Sequence, residues 1–316
     1  MTGPGPDVSV ILVTDTFETI AGVLRCYGAG IDRTRLEVVV ATTTPGDLED
    51  RIRTDGFEHV RVVNAGDGTL AAAEARALEA TRGRYVIFGQ HHAFPQPGFV
   101  HAMLAACASG NWTAVGATVM NANPATSWSR AAMWINYGRW TAPAHGVMSD
   151  VPGHNTAYRR DSLLELGPEI DRLLEAGWPL QLALGARGGR FYLESAASVE
   201  MTNPETARTF VATLWRTGRG IAFRRRLHWS LARRIAYGLG APLIWLIRLV
   251  RTCGPGRNNP NSDHRSLALI PFVALGLAAS ALGEAAGYLV GGGIPRRFVR
   301  LTRLDRLTRV DEVRTG

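Results

Sequence analysis

Val8-Ser-Val-Ile-Leu-Val13 is an uninterrupted aliphatic and β-branched run closed by Thr14-Asp15-Thr16, and the same rhythm returns at Leu36–Val40, His59–Val63 and Tyr85–Phe88. Runs this short and this apolar read as strands covered on both faces. Between them, Glu18–Tyr27, Asp47–Thr54 and the alanine-rich Leu70–Ala80 read as helices. Strands and helices alternating at that pace predict an α/β fold with a doubly wound, mostly parallel sheet. Further along, the pattern predicts a helix over Phe99–Ala108, a strand over Thr113–Val119, a helix from Ser162, another over Ile170–Arg187 and a last strand at Arg190–Glu194. Asn121–Ser149, with Trp128, Trp134, Tyr137 and Trp140, reads as irregular, forming either a ligand wall or an aromatic cluster that closes the core.

Beyond about residue 205 the pattern changes. Ile235–Ile247 is an uncharged stretch too short to cross a bilayer, whereas Leu267–Gly283 holds 17 uncharged residues. As a helix the latter would extend roughly 26 Å, the lower edge of a span. Pro271, Gly276 and Gly283 would loosen a soluble helix but are tolerated in membranes. Interfacial or re-entrant helices, a true span, and helices buried on a soluble domain all remain open. Arg224–Arg226, Arg233–Arg234 and Arg296–Arg300 flank the apolar runs on both sides, which fits a hairpin with cytoplasmic ends. Phe298–Val313 places apolar residues every three positions and supports a membrane-lying face for about two turns. The division expected is 1–205 and 206–316.

A hydrophobic content of 46% over 316 residues is ample for a packed core. All 35 basic residues are arginine, so Schiff-base and lysine general-base chemistry are excluded. Residues 1–200 carry 16 Arg against 21 acidic residues, and 201–316 carry 19 Arg against 6. A basic tail interleaved with apolar runs suits an anionic membrane surface, at about 1 kcal/mol per Arg near the headgroups. Nucleic acid is not the expected partner, since no helix-turn-helix, RNP or zinc-finger pattern occurs. Cys26, Cys107 and Cys253 have no metal-ligand spacing and read as reduced structural residues. The N-terminal stretch lacks the charged region and long apolar run of a signal peptide. The expected location is the cytoplasmic face of the cell membrane.

Candidate chemistry concentrates in Arg82–Phe99, where the strand Tyr85–Phe88 ends in Gln90-His91-His92 and then Pro95-Gln-Pro-Gly-Phe99. Buried parallel strands deliver ligand sites at their carboxyl ends. The layout resembles family 2 glycosyltransferases of GT-A fold, where a Gly-x-Tyr-Val strand leads into an acidic Asp-x-Asp-type triplet and a Pro-x-Pro-Gly-Trp turn. Val151-Pro-Gly-His-Asn-Thr-Ala-Tyr-Arg-Arg-Asp161 is similar to that family's Pro-Gly-x-Asn-x-x-Tyr/Phe-Arg-Arg segment. Gly283-Glu-x-x-Gly-Tyr-Leu289 resembles the C-terminal extension of a bacterial, membrane-associated subgroup. The resemblance spans about residues 8–203. It implies transfer of a sugar with inversion from a nucleotide-sugar to an acceptor, with a lipid-linked one among the candidates, and no organic cofactor. Thr14, Asp15, Thr42, Gln90, His91, His92 and Arg160 would then contact the donor, and Gly153, His154 and Asn155 the sugar or acceptor.

In the resembled family the acidic triplet holds Mg or Mn, which neutralises the pyrophosphate. Gln90-His91-His92 supplies no carboxylate. His92 is the one metal candidate, matching lineages whose triplet ends in His, and protonated imidazole could pair with phosphate instead. Ala41–Thr43 stands where an acid usually follows the second strand, Glu74 where an Arg is common, Gly177-Trp178 where the acidic pair with the base aligns, and Met201 where a late His aligns. An inverting transfer needs a carboxylate to take the acceptor proton. Glu175, two residues before the expected position, and Asp171, one turn earlier on the same helix face, are the candidates. Arg159 and Arg160 resemble the family's Arg pair. Trp178, Trp215 and Trp229 could stack on a sugar or sit at a headgroup boundary. The alternative from another class is a catalytically inactive GT-A domain acting as a membrane-tethered binding or scaffold protein. A nucleotidyltransferase on the same sheet would also need acidic metal ligands.

Overall fold

The computed structural model describes residues 5–66, 69–141, 144–175, 178–226, 229–254 and 267–291. In chain order the elements are β1 (Val8–Val13), α1 (Phe17–Gly28), β2 (Leu36–Thr42), α2 (Leu48–Thr54), β3 (His59–Asn64), α3 (Leu70–Ala80), β4 (Tyr85–Phe88), β5 (Ala93–Pro95) and α4 (Phe99–Ala108). They continue with β6 (Ala114–Asn121), α5 (Ser127–Tyr137), β7 (Gly146–Met148), β8 (Thr156–Arg159), α6 (Arg160–Leu164), α7 (Ile170–Leu174), α8 (Trp178–Ala186) and β9 (Phe191–Met201). Four helices follow, α9 (Ala207–Arg226), α10 (Leu231–Leu239), α11 (Ala241–Cys253) and α12 (Ile270–Leu289). The chain forms two compact units, Met1–Met120 with Ala144–Met201, and Asn121–Pro143 with Thr202–Gly316.

The first unit is α/β, with strands in the order β3-β2-β1-β4-β8-β6-β9-β5 and β7 beside β9. β3, β2, β1 and β4 run parallel, while β8 joins β4, and β6 joins β8, antiparallel. β1 and β2 are buried along their whole length, as expected of strands covered on both faces. α1 buries Ile20, Val23, Leu24 and Tyr27, a stripe at i, i+3, i+4 and i+7. The chain steps outward from β1 to β2 to β3 and then returns to place β4 on the other side of β1. That reversal makes the gap between β1 and β4 the topological switch point, where open α/β sheets bind ligands at the carboxyl ends.

Two sequence expectations change in the first unit, and one element is added. The last strand runs eleven residues, pairing with β7 at its start and β5 at its end. The helix expected over Ile170–Arg187 is two helices, α7 and α8, with Ala176 and Gly177 outside the described residues. A short strand, β5, follows the Gln90-His91-His92 triplet at once.

The second unit is helical. The stretch read as irregular, Asn121–Ser149, contains α5, whose N-cap Thr126 accepts a hydrogen bond from the Ser129 N–H at 3.1 Å. Its aromatic residues close a core. Trp134 is buried and donates to the Thr252 carbonyl at 3.3 Å, and Trp128 packs edge-on to Phe272 and tilted against Phe210. α9 and α12 lie against each other at contacts only glycine allows: a Cβ on Gly218 would meet the Ser280 carbonyl oxygen at 2.0 Å, and one on Gly283 the Trp215 carbonyl oxygen at 2.2 Å. Leu267–Leu289 is, among the described residues, one helical segment long and apolar enough to cross a membrane, and half of it is buried inside the protein. α10 and α11 are bent by 61° at Gly240. Phe298–Val313 and Arg296–Arg300 lie outside the described residues.

Candidate active site

Two β-strand ends frame the switch point. Ile11 pairs with Phe88, and the Gly89 N–H donates to the Ile11 carbonyl at 2.9 Å, so Val13 and Thr14 run level with Gln90 and His91. Gly89 fits closely here, since a Cβ would sit 2.7 Å from Leu12 Cδ2 and 3.0 Å from the Tyr27 hydroxyl and would force those side chains to shift. The Ala93 N–H then donates to the Gln90 carbonyl at 3.1 Å, which makes Gln90-His91-His92-Ala93 a tight turn with the two histidines at its tip. Their rings meet edge to face with centroids 4.9 Å apart. Met201 stands opposite Ala93 and is buried, so the end of β9 closes the flank of this turn.

A second loop runs from β7 into β8. The Asn155 N–H donates to the Phe88 carbonyl at 2.8 Å, and Tyr27 Oη donates to Asn155 Oδ1 at 2.5 Å. Asn155 is buried with φ +53°, a left-handed conformation that asparagine tolerates better than most residues. Burial pushes the Tyr27 phenol far up, so it stays a donor. Gln181 on α8 grips the start of the loop, accepting from the Val151 N–H at 2.8 Å and donating to the Val151 carbonyl at 2.5 Å. The Gly153 carbonyl accepts from Tyr158 Oη at 3.1 Å. Braced in this way, the loop places His154 Nε2 3.4 Å from Glu74 Oε1, with the glutamate buried on α3 and the histidine 27% exposed.

His92 completes the group. It keeps a partly exposed edge, but burial and the neighbouring His91 and His154 push it down to about 3, so the imidazole is neutral at physiological pH. A neutral His92 serves as a hydrogen-bonding group and not as a cation.

The remaining site expectations separate. Thr14 and Thr42 are fully buried and spend their hydroxyls on local turns: Thr14 Oγ1 donates to the Thr16 carbonyl at 2.7 Å, and Thr42 Oγ1 accepts from the Thr44 N–H at 3.1 Å. Asp15 sits at the strand ends, part-exposed, accepting from Thr43 Oγ1 at 3.1 Å. Arg160 is at the wrong end. β8 runs antiparallel to β4, so Arg159 pairs with Tyr85 at the start of that strand, roughly 17 Å from Gln90 at about 3.3 Å per residue. Arg160 Nε donates to Thr81 Oγ1 at 3.0 Å, and its backbone N–H donates to the Arg84 carbonyl. Asp171 is exposed on α7 and accepts from the Arg172 N–H; Glu175 is part-buried just beyond the same helix, which packs on α3.

Glu74 was read as a departure from a family pattern, yet it is a carboxylate held inside the site. The signal was present: Ala71, Glu74, Ala75 and Leu78 share the core-facing stripe of α3, and an acid on such a stripe is costly unless paired.

The donor set does not fit a hard divalent cation. Gln90-His91-His92 offers no carboxylate, Glu74 is engaged by His154, and among the described residues no group of three or more His, Cys, Asp or Glu gathers as metal ligands. The thiol of Cys107 is pushed up to about 12 by burial, which makes it inert.

No family model matches the chain, and no curated protein matches it in sequence. Solved structures similar to it include S. aureus TarS 1–349 in complex with UDP-GlcNAc, at 14% identity, with 89% of this chain and 91% of that one covered and a TM-score of 0.47. GalNAc-T7 with UDP, GalNAc and Mn²⁺ is similar at 13% identity over 64% of this chain and 44% of that chain, TM-score 0.46. A mycobacterial protein is similar at 19% identity over 63% and 68%, TM-score 0.43. Likeness at this level is distant. The site is therefore placed on strand order and on the residues themselves.

Proposed function

We propose that the chain is a glycosyltransferase of GT-A type, resembling family 2, that transfers a sugar from a nucleotide-sugar to an acceptor with inversion. The observation that carries the reading is the switch point between β1 and β4, where one strand end delivers Asp15 and the other delivers the Gln90–Ala93 turn, with His154 and Glu74 beside it. The motif resemblance of Arg82–Phe99 and Val151–Asp161 supports it from the sequence. The nucleoside end of the donor belongs with Asp15 and the β1 and β2 termini, and the diphosphate with the N–H groups of His91, His92 and their turn.

The acceptor hydroxyl loses its proton as the new glycosidic bond forms and the nucleoside diphosphate departs. In this assignment His154, in place of the carboxylate expected from the sequence, takes that proton, while Glu74, buried behind it, fixes the imidazole's orientation and stabilises its cation as it forms. Asp171 lies exposed on α7 and is not assigned that role.

Calorimetry with UDP-, GDP- and dTDP-sugars, each run with Mg²⁺, Mn²⁺ or EDTA and paired with a donor-hydrolysis assay, tests the activity. Binding and turnover of at least one donor are expected. If no donor is bound or hydrolysed under any of these conditions, the chain is a GT-A scaffold instead. Turnover surviving EDTA is the result the donor set favours.

A further inference from the structure

Outside its apolar core, the helical unit turns a set of large apolar side chains outward. On α11 the exposed large apolar side chains are Leu243, Leu246, Ile247 and Val250, a stripe at i, i+3, i+4 and i+7 that ends beside the exposed Arg251, whereas Arg248 turns toward α12. Arg248 Nη1 lies 2.5 Å from Glu284 Oε1 on α12, and Arg225 Nη1 3.6 Å from the other carboxylate oxygen, with Glu284 2% exposed. α10 exposes Leu231, Ile235 and Leu239, and α12 exposes Leu275, Leu282 and Leu289 at seven-residue spacing. A helix in water turns its leucines in; on α11 they face out while Arg248 is paired with the buried Glu284.

Charge and aromatic groups border these helices. Trp229, just before α10, stacks on Tyr288 with centroids 5.2 Å apart and planes 10° apart, and Tyr237 packs against both rings. The guanidinium of Arg233 lies 4.3 Å from the Trp229 ring centroid. Arg233 and Arg251 are exposed, and among the described residues from Ala207 to Cys253 there are no acidic residues at all. Aromatic rings beside arginines suit the headgroup level of a bilayer.

Packing decides between lying on the membrane and crossing it. α12 is long enough to cross, but its glycine face is seated along α9, whose outward positions include Arg208, Arg216 and Thr217. A crossing α12 would carry that charged helix into hydrocarbon, at several kcal/mol per charge. We propose that the outward faces of α10 and α11 dock in the interface of an anionic bilayer, with the leucine stripe in the acyl region and Arg233 and Arg251 at the phosphates, while α12 serves as the spine of the unit. The inference rests on the helical unit alone and stands whether or not the activity above is correct.

The test is flotation of the full-length protein with vesicles of phosphatidylcholine alone and with about one third phosphatidylglycerol. The wild type is expected to float with the anionic vesicles and to be released by alkaline carbonate. Leu243→Gln/Ile247→Gln/Val250→Gln is expected to lower partitioning about a hundredfold at unchanged helicity. Arg233→Gln/Arg251→Gln is expected to remove most of the preference for anionic lipid. A wild type that stays unbound to both vesicle types overturns the proposal, as does a dimer in lipid-free solution that the triple substitution dissociates. Resistance to carbonate would overturn the interfacial geometry in favour of a span.

Discussion

The two ends of the parallel strands are both rich in polar residues, but they use them differently. At the amino end the groups close on one another. Ser9 Oγ donates to Glu37 Oε2 at 2.5 Å, the Arg82 N–H donates to the same oxygen at 2.7 Å, the Gly83 N–H donates to Ser9 Oγ at 2.9 Å, and Arg61 Nε sits 3.2 Å from Glu37 Oε1. Arg159 and Arg160 are likewise engaged, on Asn111 and Thr81. At the carboxyl end Tyr27 and Asn155 brace the end of β4, Gln181 braces the neighbouring loop, and His91 and His92 stand at the tip of the turn with His154 on that loop. Satisfied networks hold a fold together, whereas braced groups with an exposed edge are available to a ligand. Polarity alone therefore does not mark the site; the direction of closure does.

The largest effect should come from the braced end. Glu74→Gln, which keeps the shape and removes the charge behind His154, is expected to lower kcat about 100-fold or more with donor Kd within about twofold, measured by steady-state kinetics and calorimetry. Substituting His154→Gln should give a similar loss. If both variants keep wild-type kcat, the proton acceptor is elsewhere, and Glu175→Gln becomes the next variant to measure.

The closed end should respond in stability instead. Glu37→Ala strips a buried carboxylate that holds Ser9, the Arg82 N–H and Arg61, and is expected to cost about 3 kcal/mol in urea unfolding with donor affinity unchanged. A smaller effect belongs to His92. Its folded-state value of about 3 lies below the ordinary 6.5, so the unfolded chain binds a proton between those pH values that the folded chain does not. Its contribution to stability is present in full above about pH 6.5 and lost as pH falls toward 3. His92→Asn should flatten the acid side of the Tm–pH profile by up to about one proton's worth of slope; an unchanged profile would mean the ring is solvated. The smallest effect is expected for Arg160→Ala, about 1 kcal/mol in stability from the lost bond to Thr81 and no change in donor Kd. A tenfold weaker donor Kd in that variant would contradict the separation of the two ends.

The parallel half of the sheet was legible because strands buried on both faces leave contiguous apolar runs, as Val8–Val13 and Tyr85–Phe88 do. The position of the Gln90–Ala93 turn followed from the same fact. Arg160 was misplaced because the direction of β8 is set by pairing with β4 and β6 across long sequence separations, which local pattern does not encode. α5 was hidden by the weak helix formers Ser, Trp and Asn; packing of Trp128 and Trp134 among α9 and α12 residues supplies what propensity lacks. The break at Gly240 in the apolar tail was legible only as a glycine, since the bend depends on how α10 and α11 seat on α12.

In the function proposed above, the donor lies across the carboxyl ends of β1 and β4. A structure of the full chain with a nucleoside-diphosphate sugar measures this directly. The diphosphate is expected within hydrogen-bond reach of the Gln90–Ala93 turn and the sugar toward His154 and Glu74. A nucleotide seated at the amino end, near Glu37 and Arg160, would contradict it.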